Sequence, residues 1–253
     1  MRVRTFFASI AILTLSTTVA FADGPFQVKP NEFDPGKTFL VQAAWLSGIG
    51  CPTAAKIAVP NADFTGIASF STYTDTACDT GDIKDKQNEG LLLVKTGPTL
   101  TNFAAAGATL EGVKGTTLTE LGYDIRKPGA STQDPRGSQC DADSPRFNIT
   151  TSTGFYFLAC NSPPPTTTTP GIGWMRLRWG NGSAGSVQGY LNGATLSAVT
   201  GEVKTIEIVF DEGQDVAPTN FGEAILDNID VNGTLVGRGP DRRELTRDVR
   251  RPP

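Results

Sequence analysis

Acidic side chains crowd two neighbouring stretches of this 253-residue chain: Asp211, Glu212 and Asp215 follow one apolar run, and Asp227 and Asp230 lie in the next. Carboxylates that converge from two adjacent strands and a loop suit Ca²⁺, which takes about six to eight hard oxygen ligands. The spacing offers Asp211, Asp215, Asp227 and Asp230 as a structural calcium set. The competing reading is a solvated turn with acids at strand edges, since no EF-hand or nonapeptide pattern is present. Paired carboxylates also raise glycoside hydrolysis, which needs two acids and no imidazole. Glu207, Asp211, Glu223 and Asp227 would supply such a pair, but nothing in their spacing separates a catalytic pair from ordinary surface acids.

The sequence contains no histidine. That removes the Ser-His-Asp and Cys-His nucleophile pairs, the usual zinc ligand sets and any imidazole base, and most hydrolase templates go with them. Aromatic rings are the other route to a sugar, because flat rings stack on pyranose faces while polar neighbours bond the hydroxyls. Trp174 and Tyr190 flank glycine-rich segments and are the ligand candidates, whereas Trp179 shares a strand face with Met175 and Leu177 and belongs to a core. Asp124 and Arg126 alternate with apolar residues on one strand and could pair across strands with Arg146, Arg176 or Arg178. Those six residues, Trp174, Tyr190, Arg176, Arg178, Asp124 and Arg126, form the candidate binding surface.

Period-two alternation predicts the elements that must position these groups. Candidate strands cover residues 38–45, 56–59, 64–70, 90–95, 108–113, 118–126, 146–151, 155–160, 174–179, 194–199, 203–210 and 224–231. Short strands separated by turns rich in the chain's 28 Gly and 17 Pro imply an antiparallel two-sheet β-sandwich of jelly-roll type. Residues 23–237 read as one such domain, with the Pro-Thr tract at 163–170 as a surface loop and an interdomain linker as its alternative. Residues 1–22 have the basic start, apolar run and Ala-x-Ala end of an export signal, and the arginine-rich stretch 238–253 reads as a disordered tail. Clustering of arginines in that tail leaves the body more acidic than the net charge of −4, a poor platform for nucleic acid. No stretch approaches the roughly 20 apolar residues of a membrane helix. Four cysteines in an exported chain favour bridges, and closing short loops favours Cys51–Cys78 and Cys140–Cys160; four thiols on a metal would need closer spacings.

The strings LGYDIR, SPRFNI and AILDNIDVNG carry a resemblance to a group of secreted bacterial β-sandwich proteins without assigned activity. It spans roughly residues 90–237 and brings no catalytic residue with it. The last string is also similar to the closing strand of jelly-roll carbohydrate-binding modules, where Leu-Asp-Asn sits beside a bound Ca²⁺, and Asp227 matches that acid. The expectation is a secreted or periplasmic, non-catalytic module that binds a glycan or another cell-surface polymer, with a structural Ca²⁺ as the one candidate cofactor. A structural or interaction protein of the cell envelope is the alternative, and a histidine-free glycosidase the third reading.

Overall fold

A computed structural model describes residues 26–96, 103–127, 140, 144–167, 171–211 and 221–240. Residues 1–22, where the sequence leads one to expect an export signal, Glu212, Asp215 and all but the first three of residues 238–253 lie outside that set.

Two antiparallel sheets make a sandwich. The first runs β1 (Gln27–Phe33), β6 (Ala105–Glu111), β14 (Val203–Phe210), β8 (Arg146–Thr151), β9 (Phe155–Ala159), β12 (Gln188–Leu191), β13 (Thr195–Ala198). The second runs β10 (Thr166–Thr167), β11 (Met175–Gly180), β7 (Glu120–Arg126), β15 (Gly222–Val231), β5 (Glu89–Lys95), β2 (Val41–Ser47), with β16 (Thr234–Val236) also on β15. Strands from before and after the Pro-Thr tract alternate within both sheets.

Alternation sets which residues face inward. On the first sheet Phe147, Ile149, Leu158, Ile206, Ile208 and Phe210 fill the space between the sheets, and on the second Leu91, Leu93, Leu121, Ile125, Leu177 and Leu226 meet them. At its centre Trp179 packs edge to face on both Tyr123 and Phe147, which are tilted against each other, with centroids 5.3–6.0 Å apart. Their polar ends are satisfied: Tyr123 Oη donates to the Pro145 carbonyl at 2.9 Å and Trp179 Nε1 to that of Pro163 at 2.7 Å, as buried Tyr and Trp require. The Pro-Thr tract therefore contributes an acceptor to the core and a short strand to the sheet edge.

The remaining strands, β3 (Ala55–Pro60) and β4 (Ile67–Tyr73), form a separate hairpin. The Cys51–Cys78 bridge closes its base, and the Cys140–Cys160 bridge ties the segment before β8 to the end of β9. Both pairings are those expected from the sequence. No helix among the described residues is long and apolar enough to cross a membrane.

Candidate functional site

Most of the candidate charged residues gather on the outer face of the second sheet. Leu121, Tyr123 and Ile125 point into the core, so Asp124 and Arg126 of β7 point out, as do Arg176 and Arg178 of β11. On β15 strict alternation from Ala224 and Leu226 would send Asn228 and Asp230 inward. A β-bulge prevents this: the pairing of β15 with β7 slips between Asp227 and Asp230, and Asn228 takes φ +45°. One extra residue re-aims everything after it, so Ile229 and Val231 enter the core while Asp227 and Asp230 share the outer face.

This outer face is roofed by the segment that the Cys51–Cys78 bridge staples. Asp124, fully buried, accepts from Arg176 Nε at 2.7 Å, Arg176 Nη2 at 3.0 Å and Asn228 Nδ2 at 2.8 Å. Arg176 is held from above by Thr80, whose hydroxyl accepts from Nη1 at 2.6 Å and whose carbonyl accepts from Nη2. Asp227 accepts from the Cys51 amide at 2.7 Å and the Asn228 amide at 2.6 Å. A Cβ at Gly50 or Gly237 would come within 2.8 or 2.6 Å of its oxygens, so glycine is needed at both positions for the backbone to close on the carboxyl. Asp230 pairs with Arg178 Nε at 2.9 Å and accepts from the Gly233 amide at 2.8 Å.

Burial sets the protonation of this cluster. It pushes Asp124 up against the opposing pull of Arg176, Arg178 and Asn228. Burial, with Asp124 directly across the strand, holds Asp227 well above the usual carboxylate range. Burial and the neighbouring Glu120 push Asp230 up to about 7 despite Arg178. Asp211 moves the other way: bidentate Arg146, at 2.6 and 2.7 Å, and the Ser144 hydroxyl lower it in spite of burial.

The linkage has a definite sign. A carboxyl raised by folding contributes stability that is complete below its unfolded pKa, about 4, and is lost as pH rises through the folded value. Asp230 thus makes the protein less stable between about pH 4 and 7 as pH climbs, while Asp211 withdraws stability as pH falls below about 4. Calorimetry from pH 4.5 to 7.5 should show a falling Tm that Asp230→Asn, which mimics the protonated form, makes shallower.

Of the proposed calcium ligands, the three among the described residues, Asp211, Asp227 and Asp230, are not brought together. Asp211 bonds Arg146 and Ser144, and its carbonyl accepts from Lys95, which shares the core-side alternation of Leu91 and Leu93. Asp227 and Asp230 lie on the opposite face of that sheet, and their oxygens already meet amide or guanidinium donors. A cation needing six or more free oxygens does not fit this donor set. The Sγ atoms of Cys51 and Cys78 lie within 4.8 Å of an Asp124 oxygen, but they are bonded to each other and present no thiolate.

Trp174 also departs from expectation. Its ring is 2% exposed and packs on Ala77 and the Cys51–Cys78 bridge. The glycines beside it serve close packing instead of exposure: a Cβ at Gly171 would overlap Asp75, which accepts from the Ala77 and Ile172 amides. Arg126 stands at the exposed rim of β7. Tyr190 belongs to the other sheet altogether.

Tyr190 leads to an open surface. On the outer face of the first sheet, directly opposed residues form one row across all seven strands: Lys29, Thr109, Glu207, Asn148, Phe157, Tyr190 and Leu196. The alternate residues Val28, Leu110, Ile208, Ile149 and Leu158 are buried, so the row faces outward, and each member is exposed or half-buried. Phe157 is braced edge to face by Phe155 at 4.6 Å, and the Tyr190 hydroxyl accepts from Ser162 at 3.2 Å. No protein-family model, curated protein or solved structure matches this chain. Its chemistry must therefore be read from the two faces. One is closed by mutual neutralisation, and the other presents rings, amides and a carboxylate to solvent.

Proposed function

We propose that this protein is an exported, non-catalytic binding module that takes a glycan on the outer face of its first sheet. The observation that carries the reading is the seven-strand row, in which Phe157 and Tyr190 stand side by side next to Asn148 and Glu207. Rings beside hydrogen-bonding groups match a sugar, which has an apolar face and polar edges. Two disulfides accord with an oxidising compartment.

The placement of the acids supports a non-catalytic role. Glu207 and Glu223 alternate with core residues of different sheets and so point away from each other on opposite exteriors. Sheets stack about 10 Å apart before side chains are added, whereas a glycosidase pair needs about 5–9.5 Å. Asp211 and Asp227 are separated by the second sheet and individually engaged.

A glycan-array screen of the purified protein should return a selective set of oligosaccharides, unchanged in EDTA. Phe157→Ala and Tyr190→Ala should each weaken binding about tenfold, the worth of one aromatic contact with its buried area. Full retention of binding in the double variant would move the site elsewhere.

A second reading rests on the β3–β4 hairpin, where Ile57, Val59, Phe64, Ile67 and Phe70 are all exposed, Phe64 at 82%. Apolar exposure of this kind often marks a contact surface, as an interaction protein of the cell envelope would need. Loss of partner capture from envelope extracts on Phe64→Ser and Phe70→Ser, with the glycan array silent, would favour it.

A further inference from the structure

We infer that the ligand is an uncharged polysaccharide lying across the strands of the first sheet, an assignment that rests on the reading of this face as a glycan site. Charge on this face favours a neutral ligand. Lys29, in the row, pairs with Glu111 at 2.6 Å, and Arg146, two residues from Asn148, pairs with Asp211 at 2.6 Å; the exposed Lys204 lies three residues from Glu207, at the β14 bulge. Glu207, exposed at the middle of the row between Thr109 and Asn148, forms no ion pair among the described residues. A polyuronate, a sulfated glycan or a phosphate polymer laid along this row would meet an unneutralised carboxylate. Like charges so placed repel and select against the wrong partner. Hydroxyls of a neutral sugar, by contrast, can donate to Glu207, and a charged acceptor strengthens such bonds.

The direction of the chain follows from register. Directly opposed residues run perpendicular to the strands, so the line of rings, amide, carboxylate and hydroxyl crosses the sheet. Six strand spacings of about 4.8 Å give the row a length of about 29 Å. A flat, β-linked pyranose chain advances by roughly one strand spacing per residue, so successive sugars meet successive strands: Tyr190 and Phe157 under two rings, then Asn148, Glu207 and Thr109 along the hydroxyl edges. The Gly193 turn between β12 and β13, at φ +73°, passes close beside the Phe157 ring.

Affinity gel electrophoresis of the purified chain tests both parts. The gels would carry hydroxyethylcellulose, xyloglucan or galactomannan as neutral probes and alginate or polygalacturonate as anionic ones. We expect retardation by at least one neutral polymer and by neither polyuronate. Glu207→Lys should weaken the neutral interaction about tenfold, as loss of a hydrogen bond to a charged group does, and should create retardation by alginate. For the retained polymer, oligosaccharide affinity should rise with length to about six sugars; a plateau at the disaccharide would overturn the across-strand track. Retardation of the wild type by a polyuronate would overturn the neutral assignment while leaving the face a glycan site. No retardation by any of the five polymers, with Phe157→Ala/Tyr190→Ala indistinguishable from wild type, would remove the glycan reading itself.

Discussion

Asp124→Ala is expected to lower the unfolding free energy by about 3–5 kcal/mol, the cost of stripping one partner from a buried ion pair. The carboxylate that this change deletes accepts from two nitrogens of Arg176 and from Asn228, and lies 3.8 Å from Arg178. Both guanidinium groups would remain under the roof with one acid fewer to balance them. Asp230 would still hold Arg178, so the main loss falls on Arg176, left with Thr80 and the exposed Asp79. Urea unfolding followed by fluorescence measures the effect, and an unchanged m-value would show that the fold itself is retained. A loss below about 1 kcal/mol, the range of solvent-exposed pairs, would mean that water reaches the cluster and that the roof is not closed.

Replacing Cys51 and Cys78 together by serine should have an effect of similar size by a different route. The bridge closes a loop with a sequence separation of 27, and loop-closure entropy assigns it about 3.5 kcal/mol. The bridge also packs on Trp174, and the Cys51 amide is one of two donors to Asp227, so loosening it costs contacts beyond the entropy of the unfolded chain. The destabilised variant should retain its affinity for the glycan at temperatures where it is folded, because the proposed binding face belongs to the other sheet. A Cys51→Ser/Cys78→Ser protein as stable as the wild type would show that the roof is held by its polar contacts alone.

These outcomes bear on what could be read from the chain before its fold was known. The second sheet's β7 and β11 were plain, because LGYDIR and MRLRW alternate cleanly. The preference for sequential cysteines that close short loops pointed to the correct pairs. β1 was hidden by Pro30, which lacks a ladder donor; β1 tolerates it as an edge strand paired on one side to β6. β12 was hidden by its length and by Gly189, which sits against Leu158 and the Phe157 carbonyl. The bulge at Asn228 leaves no mark on a period-two reading, yet it decides that Asp227 and Asp230 face the same way.

The candidate site was legible in part. Asp124, Arg176 and Arg178 are neighbours as their alternation suggested, but alternation alone cannot say that a stapled loop covers them. Glycines around Trp174 read equally as a mobile loop or as close packing, and the contact with Asp75 makes them the latter. Asn148 and Phe157 were missed as binding residues because nothing local distinguishes them. They acquire meaning from strand register, which brings Glu207, Asn148, Phe157 and Tyr190 into line from four segments.

The most direct test of glycan binding on the first sheet is an amide NMR titration of the whole protein with the oligosaccharide selected on the array. Shifts concentrated at Glu207, Asn148, Phe157 and Tyr190 and their cross-strand neighbours are the predicted result. Shifts confined to the β3–β4 hairpin or to residues 79–88, or no shifts up to saturating oligosaccharide, would contradict it.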